Sequence, residues 1–119
     1  MRLYESIDCP VATKSVYLVM EYIQGESLHA HLKAQQTQPY YRRFPEDTCR
    51  AIIKQLLGVL HYLHSKNVTH RDIKLENILV DRKSGKLKLI DFGFCCCTAP
   101  DTKLKIFCGT PSYMAPEIV

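Results

Sequence analysis

Six aliphatic residues in the middle of the chain, Ile52, Ile53, Leu56, Leu57, Leu60 and Leu63, recur at helical spacing and mark its strongest helix. Phe44-Pro45-Glu46-Asp47 opens that helix. Proline suits a first turn, and the two acids suit the positive end of the helix dipole. The helix is expected to stop near Ser65-Lys66-Asn67, where asparagine can cap. Elsewhere the pattern changes period. Residues 1–7 and 15–23 read as two short strands that break at Asp8-Cys9-Pro10, the second being stopped by Gly25. Residues 27–33 read as one short helix, with Leu28 and Leu32 four apart, and residues 35–43 as a loop containing Pro39. Ile78–Asp81 and Lys86–Ile90 read as a hairpin around Lys83-Ser84-Gly85, and the chain from Gly93 to Pro111 as a loop. The expected class is α+β.

Composition narrows the function classes. A chain of 119 residues holds one domain at most and buries a modest core. Its longest apolar run, Val16 to Met20, is too short to span a membrane, and the first residues resemble no secretory signal. Sixteen Lys and Arg against twelve Asp and Glu give a net charge of +4. These charges are scattered, so no nucleic-acid partner is expected. Six cysteines stand at Cys9, Cys49, Cys95, Cys96, Cys97 and Cys108, with no C-x-x-C pair among them. That spacing supports neither a zinc ribbon nor a disulfide framework, and an intracellular, cytoplasmic chain with reduced thiols is expected.

The chemistry is densest at His70-Arg71-Asp72-Ile73-Lys74-Leu75-Glu76-Asn77. These residues offer an acid able to accept a proton, a cation, and an amide oxygen for a hard metal. A second acid, Asp91, follows a hydrophobic strand and precedes a flexible glycine, and the hairpin between can bring it to Asn77. Oxygen ligands beside a lysine suit magnesium-bound phosphate far better than zinc. The bland alternative is a solvated surface loop, so the spacing has to decide.

His-Arg-Asp, then Lys two residues on and Asn five residues after the Asp, resembles the catalytic loop of protein kinases. Chance agreement at those five positions has odds on the order of one in a few million per start position. Asp91-Phe92-Gly93 and Ala115-Pro116-Glu117 follow in the family's order, and Phe107 to Glu117 is similar to the end of an activation segment. Lys74 and Thr110 resemble the serine/threonine branch, and the segment as a whole the calmodulin-dependent and energy-sensing group.

The resemblance implies a partial kinase fold. Residues 1–23 would be the end of the small lobe and the hinge, and residues 24–119 the large lobe from its first helices through Ala115-Pro116-Glu117. It implies transfer of the γ-phosphoryl group of ATP to Ser or Thr hydroxyls of a protein substrate, with Mg2+. Asp72 would orient the hydroxyl and accept its proton, Lys74 would offset charge on the phosphoryl group, and Thr110 would support both. Asn77 and Asp91 would hold magnesium. Met20 would be the gatekeeper, backbone at Glu21 and Ile23 would meet adenine, and Leu79 would lie under the ring. Ser27, or else Glu26, would reach the ribose. Glu76 would read basic residues in the substrate. His70 would brace the loop, and Arg71 would anchor a phosphate. Glu117 would form half of an ion pair.

Two departures accompany the resemblance, and one further feature stands beside them. The chain has no G-x-G-x-x-G and no V-A-I-K, which points to a fragment of a longer enzyme. The alternative is a truncated, non-catalytic interaction module. The position four before Thr110 is Ile106, which cannot carry phosphate; Thr98 and Thr102 lie elsewhere in the same loop. The cysteine triplet reads as small hydrophobes in a loop, with a redox role ranked behind.

Overall fold

The computed structural model describes residues 2–9, 15–35, 44–99 and 103–118. Two runs of β-branched and aromatic residues pair first. Strand β1 (Leu3–Cys9) and strand β2 (Ser15–Met20) form an antiparallel hairpin with Leu3 opposite Met20 and Ile7 opposite Tyr17. A register shift between Leu3 and Glu5 bends it. Large side chains on both faces, Tyr4, Tyr17 and Leu18 among them, stay exposed. The connection at 10–14 and the expected loop at 36–43 lie outside the described residues.

Gly25 does not stop the second strand, as the sequence suggested. Strand β2 already ends at Met20, and Gly25 opens strand β3 (Gly25–Ser27). A Cβ at this position would overlap the Val80 carbonyl oxygen, so the glycine allows two backbones to approach. Strand β3 pairs antiparallel with β5 (Ile78–Asp81), which pairs in turn with β6 (Leu87–Leu89). The hairpin between β5 and β6 turns at the expected place, with Gly85 at φ +63°.

Helix α1 (Leu28–Gln35) starts at Ser27, whose Oγ accepts a hydrogen bond from the Ala30 amide at 3.1 Å. Helix α2 (Glu46–Ser65) follows the aliphatic stripe. Pro45 stands just before its first turn rather than in it, with extended ψ of 148°. Its C-terminus closes through the Lys66 amide to Leu63 O and the Asn67 amide to His64 O, with Asn67 left-handed at φ +56°.

Leu28, Ile78, Leu87 and Leu89 form the buried core, and Ile52, Leu56, Val59 and Leu63 of α2 pack against it. Each such aliphatic side chain contributes roughly 1.5–3 kcal/mol when fully buried. The neighbouring face of α2 keeps Ile53 at 50% and Leu57 at 59% exposure, so the aliphatic stripe is wider than the surface it covers here.

The chain after Asp91 is not wholly loop. Cys96 and Cys97 form strand β7 (Cys96–Cys97), antiparallel to strand β4 (Val68–Thr69). The triplet therefore serves as ladder backbone, which no propensity of cysteine announces. Short 3₁₀ turns at Leu75–Asn77, Pro111–Tyr113 and Pro116–Ile118 complete the structure. No helix among the described residues is long and apolar enough to cross a membrane.

Candidate active site

The loop between β4 and β5 is folded around one buried histidine. His70 is 2% exposed, and its ring is wedged edge-on against Phe92 at 5.0 Å. The Asp72 amide donates to its Nδ1 at 3.3 Å, which assigns the proton to Nε2, and Nε2 donates to Ile90 O at 3.1 Å. Both ring nitrogens are engaged, so His70 braces the loop and is not a base. Arg71 is left-handed at φ +67°, and the Asp72 side chain that follows it is buried.

Asp72 is buried, with 3% exposure, yet its oxygens meet three polar side chains. Its Oδ1 accepts the Thr110 hydroxyl at 2.6 Å. Its Oδ2 accepts Lys74 Nζ at 2.7 Å and Asn77 Nδ2 at 3.0 Å. Asn77 Nδ2 also donates to the Asp72 carbonyl at 2.9 Å. Burial pushes the Asp72 carboxyl pKa upward, but the bonds from Lys74 and Thr110, the Lys74 charge and the Asn77 bond outweigh it and hold it below its ordinary value. The hydrogen bond to Asp72 in turn raises Lys74. Lys74 also donates to Thr110 Oγ1 at 3.1 Å, closing a three-membered ring of polar groups.

Thr110 reaches this ring because of Gly109, a residue whose role the sequence reading passed over. Gly109 has φ +111°, and a Cβ there would lie 2.5 Å from the Arg71 carbonyl oxygen. Only glycine brings the 103–110 segment this close to the loop. The available signal was the glycine's position immediately before a functional threonine. Arg71 Nε donates to Phe94 O, the Cys95 thiol faces His70 O at 3.7 Å, and the Thr98 amide donates to Asn67 O at 2.9 Å. These contacts fasten residues 94–98 to the same loop.

The β5–β6 hairpin sets Ile90, the residue before Asp91, against Asn77: the Ile90 amide donates to the Asn77 carbonyl at 2.9 Å. Asp91 is left-handed at φ +59°, exposed, and held by the Gly93 amide on Oδ1 at 3.2 Å. An amide oxygen and a carboxylate are hard donors that fit magnesium. Among the described residues, no cluster of three or more His, Cys, Asp or Glu is arranged for a metal. A cavity of about 440 Å³ opens beside Asp72, walled by Arg71, Ile73, Phe107, Thr110 and Met114.

The family model of the protein kinase domain matches residues 1–119. The chain belongs to the protein kinase family. It is 43% identical over 106 residues to sperm motility kinase 2B of Mus musculus, covering 89% of this chain. It is 44% identical over 107 residues, again 89% of the chain, to the Dictyostelium discoideum serine/threonine-protein kinase fhkC. It is 44% identical over 102 residues, 85% of the chain, to RAC-beta serine/threonine-protein kinase B of Xenopus laevis. The chain spans about a fifth of the length of these relatives, 20%, 17% and 20% respectively.

Of the other residues that the sequence singled out, Ser27 and Leu79 lie on the β3–β5–β6 sheet. Ser27 stands opposite Leu79, and Leu79 opposite Lys88. Lys88 Nζ reaches Glu21 Oε1 at 3.0 Å, which ties the segment after Met20 to that sheet. Met20 is 42% exposed, while Glu21, Ile23 and Leu79 are half-buried. Among the described residues, no hydrogen bond engages the Glu21 carbonyl or the Ile23 amide. Ser27 Oγ already caps α1, although its proton remains available to donate. Glu26 instead pairs with Arg82, and Glu76 with His29 at 3.3 Å. Ile106 is 73% exposed, Glu117 lies on the cavity rim, and Thr102 lies outside the described residues.

Proposed function

We propose that this segment carries the reacting end of an ATP- and magnesium-dependent serine/threonine protein kinase, as part of a longer intracellular enzyme. In this reading residues 1–23 end the small lobe and form the hinge, and residues 24–119 begin the large lobe. The observation that carries it is the buried Asp72 carboxylate, held at once by Thr110, Lys74 and Asn77.

That arrangement suits phosphoryl transfer, in which positioning and charge supply most of the rate. Asp72 accepts a hydrogen bond from the substrate hydroxyl and aims its oxygen, and it takes the proton once the oxygen has become acidic. A carboxylate with a lowered pKa is a weak base, which fits late proton transfer better than early abstraction. Thr110 and Lys74 fix which carboxylate lone pairs face the cavity. Lys74 also presents its charge where negative charge develops. The amide oxygen of Asn77 and the carboxylate of Asp91 would hold magnesium, which when bound neutralises phosphate oxygens. The Glu21 carbonyl and the Ile23 amide would meet adenine, with Met20 as gatekeeper, Leu79 beneath the ring and Ser27 toward the ribose. The cavity beside Asp72 would receive the peptide that carries the Ser or Thr.

The test is binding of Mg-ATP followed by thermal unfolding, together with phosphate incorporation into a Ser/Thr peptide library. Stabilisation by Mg-ATP and transfer that Asp72→Asn abolishes are expected. Binding and transfer both absent would favour the non-catalytic interaction module, for which the exposed Ile53 and Leu57 are the available surface.

A further inference from the structure

Besides Lys74 with Asp72, four acid–base side-chain contacts occur among the described residues, and they differ in what they join. Arg50 with Glu46 lies within one turn of α2 and is mostly exposed, at 72% and 86%. Glu26 with Arg82 links strands already paired through their backbones, and both side chains are largely exposed, at 45% and 66%. His29 with Glu76 is half exposed, at 52% and 45%. Glu21 with Lys88 is different. It is the least exposed of the four, at 31% and 26%, and it joins the end of the β1–β2 hairpin to the β3–β5–β6 sheet.

The Glu21 carboxylate is anchored on both sides. Lys88 Nζ donates to Oε1 at 3.0 Å and to Oε2 at 3.3 Å, and the Arg2 amide donates to Oε2 at 3.0 Å. The Glu21 amide donates back to Arg2 O at 2.7 Å. One side chain therefore holds the first residue of β1's approach, the turn after β2, and a residue of β6. The Lys88 hydrogen bond holds the Glu21 carboxyl pKa below its ordinary value.

We propose that Lys88 is a positioning residue for the nucleotide site. Through Glu21 it sets the backbone of residues 21–23 at a fixed height relative to Leu79, its cross-strand partner in the sheet. It touches no substrate itself. The inference rests on the reading that Glu21 and Ile23 meet adenine, and it adds the group that fixes their placement.

The test uses the protein as expressed from its own gene, with Lys88→Gln, Lys88→Arg, Glu21→Gln and the Lys88→Gln/Glu21→Gln double variant. Affinity for a fluorescent ADP analogue with magnesium, KM for ATP, kcat and amide hydrogen exchange over residues 21–24 are measured. Lys88→Gln should weaken nucleotide affinity and raise KM by twofold to fivefold, with a smaller effect on kcat and faster exchange at 21–24. Lys88→Arg, which keeps the cation, should recover most of the loss. The double variant should be no worse than the worse single one. Nucleotide affinity of Lys88→Gln within twofold of the parent overturns the proposal, as do additive single effects. A parent protein that binds no adenine nucleotide overturns the underlying reading instead, and the two failures are thus told apart.

Discussion

Replacing Gly109 by alanine isolates the contact that delivers Thr110 to Asp72. The added Cβ would stand 2.5 Å from the Arg71 carbonyl oxygen, whereas ordinary contact begins at 3.4 Å. Relief demands about 0.9 Å of movement between the 103–110 segment and the loop. The φ of +111° adds a conformational cost of about 1–3 kcal/mol for any residue with a side chain. If Thr110 recoils by that distance, its 2.6 Å bond to Asp72 opens to about 3.5 Å, where an O–H···O bond is effectively lost. A hydrogen bond to a charged group is worth about 1.5–3 kcal/mol, which corresponds to a tenfold to hundredfold fall in kcat. The assay is steady-state phosphate transfer by the protein as expressed from its own gene, with thermal unfolding run in parallel. Thr110→Val should reproduce the loss without the steric strain, and Thr110→Ser should retain most activity. A Gly109→Ala enzyme with kcat within twofold of the parent would refute the reasoning, because the close approach would then be dispensable.

Asp72→Asn removes the charge facing Lys74 and should lower kcat by about 10²–10⁴-fold, read by the same transfer assay. Acid stability should report the same carboxylate. Its pKa in the folded state lies below the ordinary 3.8, so its contribution is present above that value and is lost as pH falls through the lower folded value. Denaturant midpoints from pH 7 to 3 should fall more steeply for the parent than for Asp72→Asn. Burial pushes the Cys95 thiol pKa up and its Sγ faces the His70 carbonyl, whereas Cys97 is exposed. Iodoacetamide should therefore label Cys97 before Cys95, as peptide mass spectrometry would show. Arg71 already donates to Phe94 O, and Ile106 cannot be phosphorylated, so phosphatase treatment should leave activity intact.

The parts of this structure legible in the sequence were those with a strong local code. The aliphatic stripe announced α2, the hydrophobic pair around Lys83-Ser84-Gly85 announced the β5–β6 hairpin, and the spacing from His70 to Asn77 announced the family that the match over residues 1–119 shows. Strands β3 and β7 were missed because neither has a code of its own. Gly25 has poor strand propensity, Cys96 and Cys97 are too short a run to show a period, and long-range partners at Asp81, Val68 and Thr69 impose their extended backbone. Lys88 and Gly109 escaped for a related reason. One is an ordinary surface-type cation in a strand and the other a single glycine; each gains meaning only from a partner far away in sequence, Glu21 or Arg71.

The segment that follows Asp91-Phe92-Gly93 is pinned at two places, by the β4–β7 ladder with the Thr98 amide on Asn67, and by Gly109 and Thr110 against the loop that holds Arg71 and Asp72. Between two fixed anchors a chain obeys loop-closure statistics, in which doubling the length costs only about 0.6 kcal/mol. A change of length between Thr98 and Gly109 therefore costs little, while the Thr110 hydroxyl stays on Asp72. New substrate preferences and new modification sites can be installed in that span without retuning the carboxylate on which the proposed chemistry depends.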